Sequence, residues 1–346
     1  MATLKVNTVS GIGTEGPVLD GGLHFRSKNY MTLPKGNTND AFPDFKAVPA
    51  ASARGVFFGG ITEPSPTKQS RIDYITISTT GDAIIFGDLE AANQFPAAFA
   101  NNTRGVIAGG ANPSITNSMS FVTIASTGDA TKFGDLTLAR SGAGSLANST
   151  RGLIAGGNPE TETVDYVTIQ SSGNAIDFGD LLTSIQATEG CSDLTRGVFG
   201  GGEDTPTSIN TIQFFTIPTQ SNATDFGDLT VSRRNLASAS SPTRGLFMGG
   251  DFQTSSYHDT IDFITIQSTG HATDFGNLSA ARAELGAVAS TIRACVGGGY
   301  VSPSTPNSDI IEYVTIASTG NMTDFGNLTQ GRRQLKGCSN GHGGLG

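Results

Sequence analysis

Arg104-Gly105-Val106-Ile107-Ala108-Gly109-Gly110, then Phe121-Val122-Thr123-Ile124, then Phe133-Gly134-Asp135-Leu136: this run of three phrases recurs six times along the chain. The first phrase starts again at Arg54, Arg151, Arg196 and Arg244, and as Arg-Ala-Cys-Val-Gly-Gly-Gly at Arg293. The second is led by Tyr74, Phe121, Tyr166, Phe214, Phe263 and Tyr313, and the third by Phe86, Phe133, Phe178, Phe226, Phe275 and Phe325. A fixed period means one structural unit repeated, each copy burying its apolar face against the next.

The spacing carries more than the phrases do. From each Arg to the second Gly is 6 residues, from the aromatic to the Phe-Gly piece 12, and from that Phe to the next Arg 18. Only the interval from the Gly pair to the aromatic varies, through 14, 11, 9, 12, 13 and 14 residues. All length variation therefore falls in one loop per repeat. Aromatic and β-branched residues such as Tyr166-Val167-Thr168-Ile169 suit a pleated strand. The glycine of Ser126–Asp129, with relatives at Gly81, Gly173, Gly270 and Gly320, suits a hairpin, and Asn222 takes that place in the fourth repeat. Small-residue stretches such as Gly144–Asn148 precede each Arg. Each repeat thus reads as four strands: a (small residues), b (Arg to Gly-Gly), c (aromatic-x-Thr-Ile) and d (ending Phe-Gly-Asp/Asn). Four strands in about 48 residues is the size of one blade of an all-β propeller.

Composition agrees. The 346 residues include 46 Gly, 20 Phe and no Trp, with only 15% charged, which fits short strands and tight turns and offers no long helical pattern. A net charge of −9 argues against nucleic acid as a partner, since that affinity rests on Lys and Arg. No basic start followed by an apolar run opens the chain at Met1–Val6, and no stretch is long and apolar enough to insert in a membrane. Three cysteines cannot all pair internally; Cys191, Cys295 and Cys338 fall on strands and read as core filling.

On these phrases the chain resembles the kelch repeat, whose blade also runs from an Arg before strand a, through a Gly pair closing b, to aromatics in c and d. Here the leading Arg stands seven residues after the Phe at Arg140, Arg233, Arg282 and Arg332, while the Trp of that family's strand d is Phe throughout. The resemblance covers about residues 37–343 and implies a kelch-like β-propeller over 37–346. Eighteen residues past Phe325 lies Gly343, so a seventh strand a is expected over Leu335–Asn340. Seven a-strands against six of each other kind favour seven blades, with Leu23–Ser27 and Asn29–Leu33 lending strands to a composite blade. Six blades with residues 1–36 as a separate arm is the rival.

Candidates for chemistry are few. His24, His258, His271 and His342 share no repeated position, and no cluster has metal-ligand spacing, nucleophile-elbow or phosphate-loop form, so no catalytic residue, metal or cofactor is expected. The six Gly pairs end strands rather than open helices. Asp88, Asp135, Asp180, Asp228, Asn277 and Asn327 read as turn-makers rather than a cation ring. The six arginines that open strand b read as structural, reaching carbonyls of the neighbouring blade rather than forming an anion site.

The variable b–c loops are the recognition candidates, because up-down strands put them all on one face. Their expected contact residues are Glu63, Ser65, Thr67, Asn112, Glu160, Asp204, Gln253, Tyr257, His258, Tyr300 and Ser302.

A second resemblance lies at the start. Gly11–Pro17, Gly21–Ser27 and Asn29–Gly36 look like the opening of structural proteins from marine tailed phages, cyanophages especially. It implies a virion component (tail fibre, tail-tip or capsid surface) assembled in the host cytoplasm, with residues 1–36 as an anchoring arm. Its partners would be other virion proteins and a host surface glycan or protein, with homo-oligomerisation a further expectation. A cytoplasmic kelch-type interaction scaffold is the alternative. A propeller glycan-active enzyme is a third, disfavoured by scattered histidines and the missing Trp platforms.

Overall fold

The computed structural model describes residues 53–345 apart from 65, 254–255 and 302–305. Within them the chain forms six four-stranded antiparallel blades, with two short accessory hairpins in the loops. In blade two, strand a is Ala97–Ala100, b Arg104–Ala108, c Ser118–Thr123 and d Thr131–Asp135. The one helical element among the described residues is a turn of 3-10 helix at Gly343–Leu345.

The blade count corrects the sequence reading, which favoured seven. The closing strand Lys336–Ser339 does not add a blade: it pairs antiparallel with Arg54–Phe58, matching Val56 to Cys338, and fills the innermost place of blade one. One detail shows how well the join imitates the others. In blades two to four the side chain of Asn101, Asn148 or Asp193 accepts the backbone N–H of the Arg three residues on, at 2.8–2.9 Å. At the closure Asn340 Oδ1 accepts the N–H of Arg54 at 2.8 Å, so an a–b turn is reproduced without a covalent link. The composite-blade strands proposed at Leu23–Ser27 and Asn29–Leu33, and the arm 1–36 itself, lie outside the described residues.

Six buried clusters make up the core, each built from two adjacent blades. One unites Val56, Phe58 and Phe86 of blade one with Ile107, Val122 and Ile124 of blade two. Strand b is buried on both sides because its blade is sandwiched. Within each blade the c-strand aromatic meets the d-strand Phe edge to face, as Tyr166 meets Phe178 at 5.8 Å between ring centres.

The Phe-Gly-Asp/Asn phrase has its own cause. The c–d turn of each following blade docks on it: Gly128 donates its N–H to Phe86 O at 2.9 Å and Ala130 to Asp88 O at 2.8 Å. A Cβ on Gly134 would stand 2.0 Å from the carbonyl oxygen of Gly173 in the next turn, so only glycine admits that approach. This explains why the intervals of 12 and 18 never change: each fixes a blade-to-blade register.

Candidate functional site

The two faces of the disc are built differently. On one, a–b and c–d turns of constant length alternate. There Arg54, Arg104, Arg151, Arg196, Arg244 and Arg293 lie over the aromatic of their own blade, 4.3–4.8 Å from the ring centre. Their guanidiniums donate to carbonyls of the next blade, as Arg151 does to Ile217 O at 3.0 Å and Pro218 O at 2.9 Å. That is the structural role expected. The Asp/Asn set does not make the expected turns: these residues sit in outer strands d, and their backbone N–H groups are capped by the next blade's turn, as Asp88 N–H is by Asp129 Oδ1 at 3.0 Å. Spread over separate blades, they form no cation ring. Among the described residues no group of three or more His, Cys, Asp or Glu could hold a metal ion. Burial raises the thiols of Cys191 and Cys338, and that of Cys295 to about 12, which leaves them as inert core groups.

The other face carries the b–c loops and the d–a connections together. Six isolated bridges tie them, among them Gln186 to Glu203, Arg234 to Asp251 and Ala283 to Tyr300. At the axis the six connections close a ring of backbone hydrogen bonds: Phe95 to Gln334, Gly142 to Phe95, Ala187 to Gly142, Asn235 to Ala187, Glu284 to Asn235 and Gln334 to Glu284, each N–H to the preceding blade's carbonyl at 2.7–3.0 Å. All six residues have φ between 49° and 62°. Five of them are not glycine, so the ring holds residues in the left-handed region against their preference. Above it lies a depression of about 270 Å³ lined by Phe95, Gln186, Glu203, Arg234, Glu284 and Gln334, with others.

Below the ring the channel is narrow and filled. Lys336 of blade one reaches across the axis to pair with Glu189 of blade four. Burial lowers its ammonium to about 8. At the far end Gly341–Leu345 cross the axis, where His342 Nε2 lies 2.8 Å from Ala100 O. Burial lowers the His342 imidazole, and the Ala100 carbonyl offsets part of that shift.

The structure distributes the expected contact residues unevenly. Thr67, Asp204 and Gln253 are exposed; Asn112 is half-buried beside blade one; Ser65 and Ser302 lie outside the described residues. Glu63 pairs with Arg333 at 2.9 Å, and the same guanidinium pairs with Glu284 at 2.9 Å and lies 5.1 Å over the Tyr300 ring. Burial raises the Glu284 carboxyl although Arg333 opposes the shift. Tyr257 and Tyr300 contact each other across blades five and six at 5.2 Å. Glu160 accepts the N–H of Thr205 at 3.0 Å and the amide of Gln186 at 3.3 Å, linking blades three and four. These residues join loops as well as face solvent. His258 departs from expectation: it is half-buried, its Nε2 is enclosed without a partner, and burial together with Arg233 lowers its imidazole.

Sequence reasoning passed over Phe95, Arg234, Asp251, Glu284, Arg333 and Gln334. They occupy the residue after each Gly pair and the eighth and ninth after each Phe of strand d. Length is fixed there while identity changes from copy to copy, and that change was the signal. No protein-family model and no curated protein matches the chain. The fold therefore stands on its own geometry: a six-bladed β-propeller of four-stranded blades.

Proposed function

We propose that this chain is a non-catalytic recognition protein of kelch-like descent, a phage virion component that presents its b–c face to a host surface or to a neighbouring virion protein. One observation carries the recognition role: all variation in loop length falls on the same face as the d–a connections, whose changing residues line its axial depression, while the opposite face repeats the same turns and arginines six times. A rigid scaffold that varies only on one side is arranged for contact on that side. The depression is polar, with ion pairs Arg234–Asp251 and Arg333–Glu284 at its edge and Phe95 as its aromatic wall. It suits hydrogen-bonded contact with a polar surface more than burial of an apolar ligand. The virion assignment adds the N-terminal likeness at Gly11–Gly36.

Mass spectrometry of purified particles tests the virion assignment: the chain is expected among the stoichiometric structural proteins. Its absence from particles while it binds a cellular protein would move the reading to an intracellular interaction scaffold. Adsorption or incorporation assays with Tyr300→Ala and Asp204→Arg test the face: both should weaken contact. Loss of contact from changes at the Arg54 and Arg151 face alone, with folding retained, would place recognition on the other side.

A further inference from the structure

The six junctions between blades are natural copies of one another, and comparing them isolates one that is incomplete. At four junctions an arginine is fully enclosed and paired with an acid of the next blade: Arg140 with Asp165 at 2.8 Å, Arg233 with Asp262 at 3.0 Å, Arg332 with Asp73 at 3.0 Å, and Arg282 with Glu312. The same guanidiniums donate to two backbone carbonyls, as Arg140 does to Thr163 O at 2.9 Å and Ile154 O at 3.3 Å, and Arg332 to Arg71 O at 3.0 Å and Phe57 O at 3.4 Å. Arginine and acid come and go together. Between blades three and four the pair is replaced by Ile185 and Gln213, both buried, and Gln213 Oε1 accepts the N–H of Leu182 at 2.8 Å. That junction is refilled.

Between blades one and two the two places are held by Asn93 and Ser120, and neither replaces the lost volume. A cleft of about 230 Å³ opens there, lined by Leu89, Glu90, Asn93, Ile107, Ser118 and Ser120 among others. Ile107 and Ser118 are the counterparts of Ile154 and Thr163, so the cleft holds the two carbonyl positions that accept an arginine elsewhere. Asn93 Nδ2 donates to Gly109 O at 2.8 Å, while its Oδ1 is enclosed with no partner. Glu90 stands where Thr137, Thr230, Ser279 and Thr329 hydrogen-bond the acid in the four filled junctions, and it is exposed at the rim. A carboxylate has thus moved to the mouth of a cleft that keeps the acceptors of a guanidinium site and lacks the guanidinium.

We propose that the cleft between blades one and two receives the guanidinium side chain of an arginine on a partner protein, seated among Asn93, Ser120, the carbonyls of Ile107 and Ser118, and Glu90. Planar donors in a fork match two carbonyls and a carboxylate, which an ammonium does not. The net charge of −9 favours a cationic visitor. Asn112 of the recognition face also lines the cleft, so an arginine can enter from a partner lying on that face. That the carrier is a protein rests on the recognition role proposed above; the guanidinium site itself does not.

The test is an NMR titration of the full chain with N-acetyl-arginine methylamide, and with the lysine analogue as control. Saturable shifts confined to Leu89, Ile107, Ser118 and Ser120 are expected, with the lysine analogue at least about tenfold weaker. Two filling variants copy junctions the chain already contains, Asn93→Arg with Ser120→Asp, and Asn93→Ile with Ser120→Gln. Each should melt at or above the wild-type temperature and lose the titration, and either suffices if the other folds poorly. Glu90→Gln should weaken binding severalfold without affecting folding. No saturable shift in the wild type, shifts centred elsewhere, or undiminished binding by a folded filling variant would overturn the proposal. If the b–c face plays no part in recognition, Tyr300→Ala leaves adsorption unchanged while this titration survives, so the two failures are distinguishable.

Discussion

Among the described residues Arg140, Arg233, Arg282 and Arg332 are the largest side chains with almost no solvent contact, and burial lowers the guanidinium of each while its acid partner opposes the shift. Such a pair is costly to break and cheap to replace whole. Arg233→Ala should therefore destabilise by about 3–5 kcal/mol, because Asp262 is left as an uncompensated buried charge. Arg233→Ile with Asp262→Gln, the combination native to the junction of blades three and four, should come within about 1.5 kcal/mol of wild type, as volume-conserving core exchanges do; urea unfolding of both variants checks the contrast. Aromatic residues behave more simply. Phe178 touches Tyr166 and Phe215 edge to face at 5.8 and 5.7 Å, so Phe178→Ala should cost about 3–5 kcal/mol. Tyr300→Ala, removing a half-buried ring from the contact with Tyr257, should cost only about 0.5–1.5 kcal/mol while weakening partner contact. At this scale the sequence was read unevenly. The arginines over strand c were legible because their register never changes. The acids Asp73, Asp165, Asp262 and Glu312 were not, because their loss at Ser120 and Gln213 looks like drift until Asn93 and Ile185 are seen across the junction.

Among the elements, the strand Lys336–Ser339 matters most. It supplies Cys338 to the core between blades one and two, and Ser339 Oγ donates to Ala289 O at 2.6 Å in blade six. Removing residues 335–345 should leave a chain that aggregates or melts without cooperativity, because the inner edge of Arg54–Phe58 loses its partner and becomes an open template. Size-exclusion chromatography and a thermal melt read the outcome; a monomer with a single sharp transition would contradict it. The strand itself was readable from the interval of 18, and its small, polar and apolar residues match the other inner strands. What the interval does not contain is which slot the strand fills. Spacing along a chain counts strands but not the places around a closed ring, and two candidates for one slot look the same as two slots. The loops show the same limit: length variation located the loops that share one face, yet the spatial partners of Glu63 and Glu160 lie in other repeats.

The whole molecule should respond to acid through its enclosed histidines. The folded pKa of His342 and of His258 lies below the value of about 6.5 in an unfolded chain. Protons then bind the unfolded state first as pH falls, so this contribution to stability is complete above about pH 6.5 and is lost below it. The midpoint of urea unfolding should drop between pH 7.5 and 5.5, and His342→Gln should flatten that slope in part, with His258 supplying the remainder. An unchanged slope in the double variant His342→Gln with His258→Gln would locate the acid response in other groups. The disc also has a history in time. Synthesis delivers blades one after another at about 5–20 residues per second, but Lys336–Ser339 leaves the ribosome after every other strand of the ring. Until then each finished blade holds one apolar flank toward the next and blade one waits with an unpaired inner edge. The ring consequently cannot close before that strand emerges, and for those seconds the nascent chain is an open crescent that a second copy could join edge to edge, which makes slow elongation or crowding of ribosomes on one message a hazard this architecture carries.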